Sequence, residues 1–125
     1  MSKKRILLVD DETQIVELVK IRLEAAGFEV VAAYDGEAAL EKARTAKPDL
    51  IILDLMLPKM DGYKVCGLLK KDARYNKIPI ILFSAKAQTK DIDLGRELGA
   101  DAYVTKPFEA KELLAKVEGL LKVKD

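Results

Sequence analysis

Asp10 and Asp11 follow the apolar run Ile6–Val9, Asp54 closes the run Leu50–Leu53, Ser84 follows Phe83, and Lys106 follows Ala102–Thr105. Carboxylates, a hydroxyl and an ammonium thus recur at one place in the pattern, the carboxyl end of a short buried strand. In an open parallel sheet those ends share one side and form the crevice where ligands bind. Three carboxylates brought together there repel. At ~4 Å and an effective dielectric of ~20, each ionised pair costs about 4 kcal/mol, so either some protonate or a cation sits among them. The chain has no histidine, and its one cysteine, Cys66, lies elsewhere. Oxygen-only ligands point to a hard ion, and an open, partly hydrated carboxylate site suits Mg2+. A carboxylate beside Mg2+ is a nucleophile toward phosphorus, which makes Asp54 the candidate acceptor. The ion and Lys106 would offset charge on a transferring phosphoryl group, and Ser84 could donate a hydrogen bond once it is attached.

The elements that must deliver these residues can be read in order. Ile6–Val9 lacks polar alternation, as a strand buried on both faces does. From about Thr13 to Ala26 the pattern is helical, with Val16, Val19, Leu23 and Ala26 on one face, and Gly27 ends the helix. Glu29–Ala33 is a second strand, followed by Asp35-Gly36 and a helix to about Ala46 with Ala39, Leu40 and Ala43 inward. Leu50–Leu53 is the third strand. A helix from about Gly62 to Ala73 buries Val65, Cys66 and Leu68 or Leu69, with Tyr63 on the same face. Pro79 starts rather than interrupts the fourth strand, which runs from near Ile80 to Ser84. The fourth helix, about Thr89 to Leu98, has a thin apolar face and carries Gly95, which costs ~1 kcal/mol relative to Ala. Ala102–Thr105 is the fifth strand, and a helix from about Glu109 to Leu121 buries Leu113, Leu114, Val117 and Leu121. Strand–helix alternation five times over predicts an α/β, flavodoxin-like, doubly wound parallel sheet of order 2-1-3-4-5 with five helices.

Composition narrows the function. At 125 residues the chain is one domain's worth, half hydrophobic and 34% charged, as a globular protein is. Its 22 basic and 21 acidic residues leave a net charge of +1, which predicts neither a nucleic-acid footprint nor a membrane patch. The N-terminal apolar run is too short for a signal peptide, and no stretch approaches membrane-spanning length; a cytoplasmic location is expected. Cys66 sits in a helical pattern and reads as a small core residue.

Taken jointly, V-D-D at Val9–Asp11, L-D-L-M-L-P-K-M-D-G at Leu53–Gly62, S-A at Ser84–Ala85 and Y-V-T-K-P-F at Tyr103–Phe108 are specific. Over essentially its whole length, 1–125, the chain resembles a receiver domain of the two-component response regulator family, of the stand-alone chemotaxis-regulator kind, with no effector domain. The resemblance implies that Asp54 accepts a phosphoryl group from a phosphohistidine on a histidine kinase or phosphotransfer protein. It implies Mg2+ bound by Asp11, Asp54 and the Met56 carbonyl, with Asp10 assisting through water. Ser84, Tyr103 and Lys106 would report phosphorylation to the surface of helix four, strand five and helix five, and thence to a downstream protein target. The resemblance further implies a cis Lys106-Pro107 bond. A monomer is expected, with dimerisation of the phosphorylated form through helices four and five left open.

Blander readings stand beside these. Asp10 and Asp11 could merely cap helix one, Lys106 could be a solvated charge and Ser84 a turn residue. Tyr103 reads equally as core or switch. Ile15 and Leu18 flank the core face of helix one near the site, and with Pro107 and Phe108 they are candidates for docking a phosphodonor. The competing function is a Mg2+-dependent phosphohydrolase with an aspartyl nucleophile. Such an enzyme needs a second acid close to the nucleophile, and the residue two after Asp54 is Met56, which cannot protonate a leaving group. Slow loss of the chain's own acyl phosphate remains expected, tuned by Met56 and Lys86. A flavin or nucleotide binder on this fold is disfavoured, since no G-x-G-x-x-G or G-x-x-x-x-G-K-[ST] occurs.

Overall fold

The computed structural model describes residues 3–85 and 88–122. Five strands alternate with five helices: β1 (Arg5–Val9), α1 (Thr13–Ala25), β2 (Glu29–Ala33), α2 (Gly36–Ala46), β3 (Leu50–Asp54), α3 (Gly62–Lys71), β4 (Ile80–Ser84), α4 (Thr89–Glu97), β5 (Ala102–Thr105) and α5 (Ala110–Lys122). All pairings are parallel, in the order β2-β1-β3-β4-β5. The expected doubly wound sheet is therefore the one the chain forms.

Strand residues alternate between the two faces because successive side chains point to opposite sides. Ile6, Leu8, Leu50, Ile52, Ile81, Phe83 and Val104 face α1 and α5, meeting Val16, Val19, Leu23, Leu113, Val117 and Leu121. Leu7, Val9, Ile51, Leu53, Ile80 and Leu82 face the other way, toward Ala39 and Ala43 of α2 and Val65, Cys66 and Leu69 of α3. The central strands are consequently apolar on both sides, and β3 and β4 are buried at every position.

The helix faces depart from expectation in a few places. Ala26 is exposed, because α1 ends one residue earlier and Ala26 is its C-cap. Leu69 takes the buried position on α3, leaving Leu68 44% exposed. Leu114 is only half-buried at the rim of α5. The only buried residue of α4 is Gly95, and a side chain there would press on the residues beneath it. A Cβ at position 95 would lie 2.7 Å from a Leu82 methyl and 3.5 Å from the Tyr103 ring. The missing side chain lets α4 settle directly onto β4 and β5.

Candidate functional site

The register places the site residues before any side chain is considered. Asp54 pairs with Phe83 across β3 and β4, so Ser84 stands one residue further along the neighbouring strand, paired with Thr105. The Lys106 amide donates to the Ser84 carbonyl at 2.8 Å, tying the end of β5 to the end of β4. The Lys106-Pro107 bond is cis. Behind Asp54, Gly62 opens α3 against the strand end: its amide donates to the Leu55 carbonyl at 3.0 Å. A Cβ there would strike the Asp54 carbonyl and come within 2.7 Å of the Leu55 Cα. Asp61 accepts from the Lys64 amide and caps α3, as Asp35 caps α2 through the Ala38 amide.

Asp10, Asp11 and Asp54 converge, each offering a carboxylate oxygen within 4.8 Å of the others. Asp10 is fully buried and Asp54 is 2% exposed, whereas Asp11 opens to solvent. Lys106 reaches into this group. Its Nζ donates to Asp10 at 2.8 Å and to Asp54 at 3.4 Å, and lies 4.7 Å from the centre of the Phe83 ring. It also meets Glu12 at 3.3 Å, a residue that sequence reasoning missed. The one signal was its position directly after the Asp pair. Glu12, not either aspartate, is the N-cap of α1, while Asp10 accepts from the Glu12 amide at 2.9 Å.

These contacts set the ionisation of the site. Burial, then the neighbouring Asp10, pushes Asp54 up from 3.8 to about 6, against a hydrogen bond from the Met56 amide and the attraction of Lys106. Burial works to lower Lys106, but its bond and ion pair with Asp10, with Asp54 and Glu12 behind them, hold the ammonium above the ordinary lysine range. A charged lysine among four carboxylates leaves the crevice short of positive charge. Hard oxygen donors that close, with one side open to water, fit a divalent ion such as Mg2+.

Ser84 is fully buried and Tyr103 half-buried. The Tyr103 hydroxyl lies between those of Ser84 and Tyr63, and Tyr63 donates to the Asp91 carbonyl at 3.0 Å. Met56 exposes 58% of its surface at the mouth of the site; Lys86 lies outside the described residues. On the other side of Lys106, α1 and α5 enclose a groove of about 620 Å³, walled mainly by apolar side chains including Ile15, Leu18, Pro107, Phe108 and Leu114. Phe108 packs edge-on against Phe83 at 4.8 Å. Leu18 and Ile21, 54% and 64% exposed, continue the apolar surface outward along α1. Cys66 is buried and its thiol is pushed up to about 11, chiefly by that burial, which suits a core residue rather than a reactive one.

A family model described as the response regulator receiver domain matches residues 6–118. The chain belongs to this family. It is 51% identical over 121 residues to the alkaline phosphatase synthesis transcriptional regulatory protein PhoP of Bacillus subtilis, covering 95% of this chain and 49% of that protein. To the DNA-binding response regulator MtrA of Mycobacterium tuberculosis it is 44% identical over 123 residues, with 98% and 53% covered. The receiver thus spans about half the length of the curated relatives it matches. Among solved structures, a putative response regulator from Chloroflexus aurantiacus superposes with a TM-score of 0.92 at 34% identity, covering 97% of this chain and 99% of that one. A CheY-like receiver domain protein from Methanospirillum hungatei gives 0.91 at 32%, covering 97% and 95%. As a response regulator receiver domain, the chain is a phosphoacceptor switch of two-component signalling, in a family that works with histidine kinases and typically uses Mg2+. The phosphohydrolase reading finds no support in these matches. Among the described residues, no helix is long and apolar enough to cross a membrane.

Proposed function

We propose that Asp54 is the phosphoryl acceptor of this receiver domain, that Lys106 and Ser84 stabilise the group it accepts, and that the donor is a phosphohistidine on a histidine kinase or phosphotransfer protein. The observation that carries this reading is the convergence of a buried carboxylate, two further acids and one ammonium at the carboxyl ends of β1, β3 and β5. In the transfer, an Asp54 carboxylate oxygen forms a bond to phosphorus as the P–N bond to the donor imidazole breaks. The imidazole nitrogen keeps that electron pair and regains a proton from solvent. The Lys106 ammonium, already 3.4 Å from Asp54, follows the developing charge onto a phosphoryl oxygen, and the Ser84 hydroxyl donates to another.

Asp11, Asp54 and the Met56 carbonyl would hold Mg2+, with Asp10 assisting through water. When bound, the ion supplies charge neutralisation for the carboxylates and for the phosphoryl oxygens. The groove between α1 and α5 opens beside Lys106, and its exposed apolar wall of Ile15, Leu18, Pro107 and Phe108 fits the docking of a protein donor. The downstream output passes through the α4–β5–α5 surface to a protein target.

Incubation with acetyl phosphate, with and without Mg2+, followed by intact mass tests the acceptor. A single phosphoryl adduct that requires Mg2+ and is absent from Asp54→Asn is the expected result. An adduct that survives in Asp54→Asn, or none in the wild type, overturns the assignment.

A further inference from the structure

Gly36 opens α2, and its spacing beside Asp35 marks it only as part of a turn and cap. In the fold it meets the loop that follows Asp54. Its amide donates to the Pro58 carbonyl at 3.4 Å. A Cβ at position 36 would strike the Met60 carbonyl oxygen and come within 2.6 Å of the Met60 Cβ. A side chain here would push the loop off the helix. The loop is strained at the point of contact. The Met60 amide donates to the Pro58 carbonyl at 2.7 Å across Lys59, whose φ is 69°. This is a γ-turn of the rare positive-φ kind, and such backbone persists only where its surroundings hold it. The start of α2 does so here: Gly36 packs against the turn, and the Lys59 ammonium meets Asp35 at 3.8 Å and Glu37 at 3.9 Å.

The other end of the loop is fixed as well. The Gly62 amide donates to the Leu55 carbonyl at 3.0 Å, and Gly62 lies against the Asp54 carbonyl. Only Met56 and Leu57 stand between Leu55 and Pro58. The Met56 side chain is 58% exposed, so its packing does not orient the Met56 peptide. The anchors on either side do. We propose that Gly36 is a positioning residue for the metal site: by seating the 58–60 turn on α2 it fixes the direction of the Met56 carbonyl and so favours Mg2+ over larger divalent ions. This deepens the reading of Asp11, Asp54 and the Met56 carbonyl as Mg2+ ligands, and rests on it. Mg2+ demands a near-ideal octahedron with ligands at about 2.1 Å, whereas Ca2+ accepts longer and less regular sets. A displaced carbonyl therefore weakens Mg2+ binding more than Ca2+ binding.

Calorimetric titration of the chain with MgCl2 and with CaCl2 tests this. Gly36→Ala is expected to bind Mg2+ about tenfold or more weakly, the range for removing the support behind a metal ligand, and Ca2+ with a smaller loss. Lys59→Val should move the Mg2+/Ca2+ ratio the same way from the loop side. A β-branched residue resists positive φ, and the 60% exposed Lys59 side chain leaves no hole when replaced. Gly27→Ala is the control for lost stability alone. Its φ of 99° strains any side chain, but a Cβ there has nothing within 4 Å, and both affinities should stay at wild-type values. A wild-type Mg2+/Ca2+ ratio in Gly36→Ala overturns the inference; if that variant does not fold, the same result in Lys59→Val overturns it. If the wild type binds no Mg2+, or Asp11→Asn binds it equally well, the metal reading falls instead, and the two failures are told apart.

Discussion

Asp54 combines two demands that oppose each other. As the proposed acceptor it must be ionised to attack phosphorus, yet it is 2% exposed and lies beside buried Asp10. The result is a carboxyl that titrates near 6 rather than 3.8. The consequence for stability has a definite sign. Because the folded value lies above the unfolded one, the stability associated with the neutral acid is complete below about pH 4 and is lost as pH rises through about 6. In metal-free buffer at about pH 7, Asp54→Asn should therefore be more stable than the wild type by on the order of 2–3 kcal/mol. The gap should close as pH falls toward 4. Urea unfolding across that range in the presence of a chelator measures it, and a gap independent of pH would show that burial does not govern this carboxyl. At this scale the acids and the lysine were legible as strand-end residues. The Lys106 pairing with Asp10 and Glu12 was not, because how far a long side chain reaches is decided by the space around it. Tyr63 was read as core for the same reason: spacing locates a ring but says nothing of where its hydroxyl ends.

Elements were legible where periodicity is strong and less so where packing decides. All ten elements fall where apolar runs and helical spacing place them, because every strand but the edges is buried on both faces and cannot be confused with a half-exposed one. Gly95 is the instructive case. Propensity marks it as a weak point in α4, but the fold uses it as the place where α4 touches Leu82 and Tyr103. Helix propensity cannot show that a neighbour occupies the space of a Cβ. The groove between α1 and α5 was likewise visible only as an ambiguity, since Ile15 and Leu18 fit a docking face only slightly better than a core face. With Leu18 54% exposed, replacing it should not disturb folding. Leu18→Asp is expected to slow phosphoryl transfer from a phosphohistidine protein about tenfold or more, with the acetyl phosphate rate unchanged. Equal slowing with both donors would place the defect in the phosphoryl site and not in docking.

Charge looks different at the scale of the whole molecule than at the site. The chain carries a net +1, yet Asp10, Asp11, Glu12 and Asp54 surround a single ammonium at the strand ends. The fold gathers that imbalance by bringing β1, β3 and β5 to one edge, and the same topology that builds the site also strains it. A cation or the loss of one acid should therefore have the same effect on unfolding, through different routes. If Mg2+ binds the folded chain and not the unfolded one, then at a hundredfold excess over its Kd it should add about 2.7 kcal/mol, roughly 10 °C in Tm for a domain of this size. Asp11→Asn removes one repelling charge and should raise Tm in a chelator by a few degrees. Because Asp11 is also the proposed ligand that opens to solvent, the same substitution should sharply reduce the Mg2+ response. Thermal unfolding of both proteins with and without Mg2+ checks the pair of effects. The crossed pattern is the decisive feature: Asp11→Asn more stable than the wild type without the ion, and less stable than it at saturating Mg2+. If Asp11→Asn were no more stable in chelator and responded fully to Mg2+, Asp11 would be neither a source of the repulsion nor a ligand.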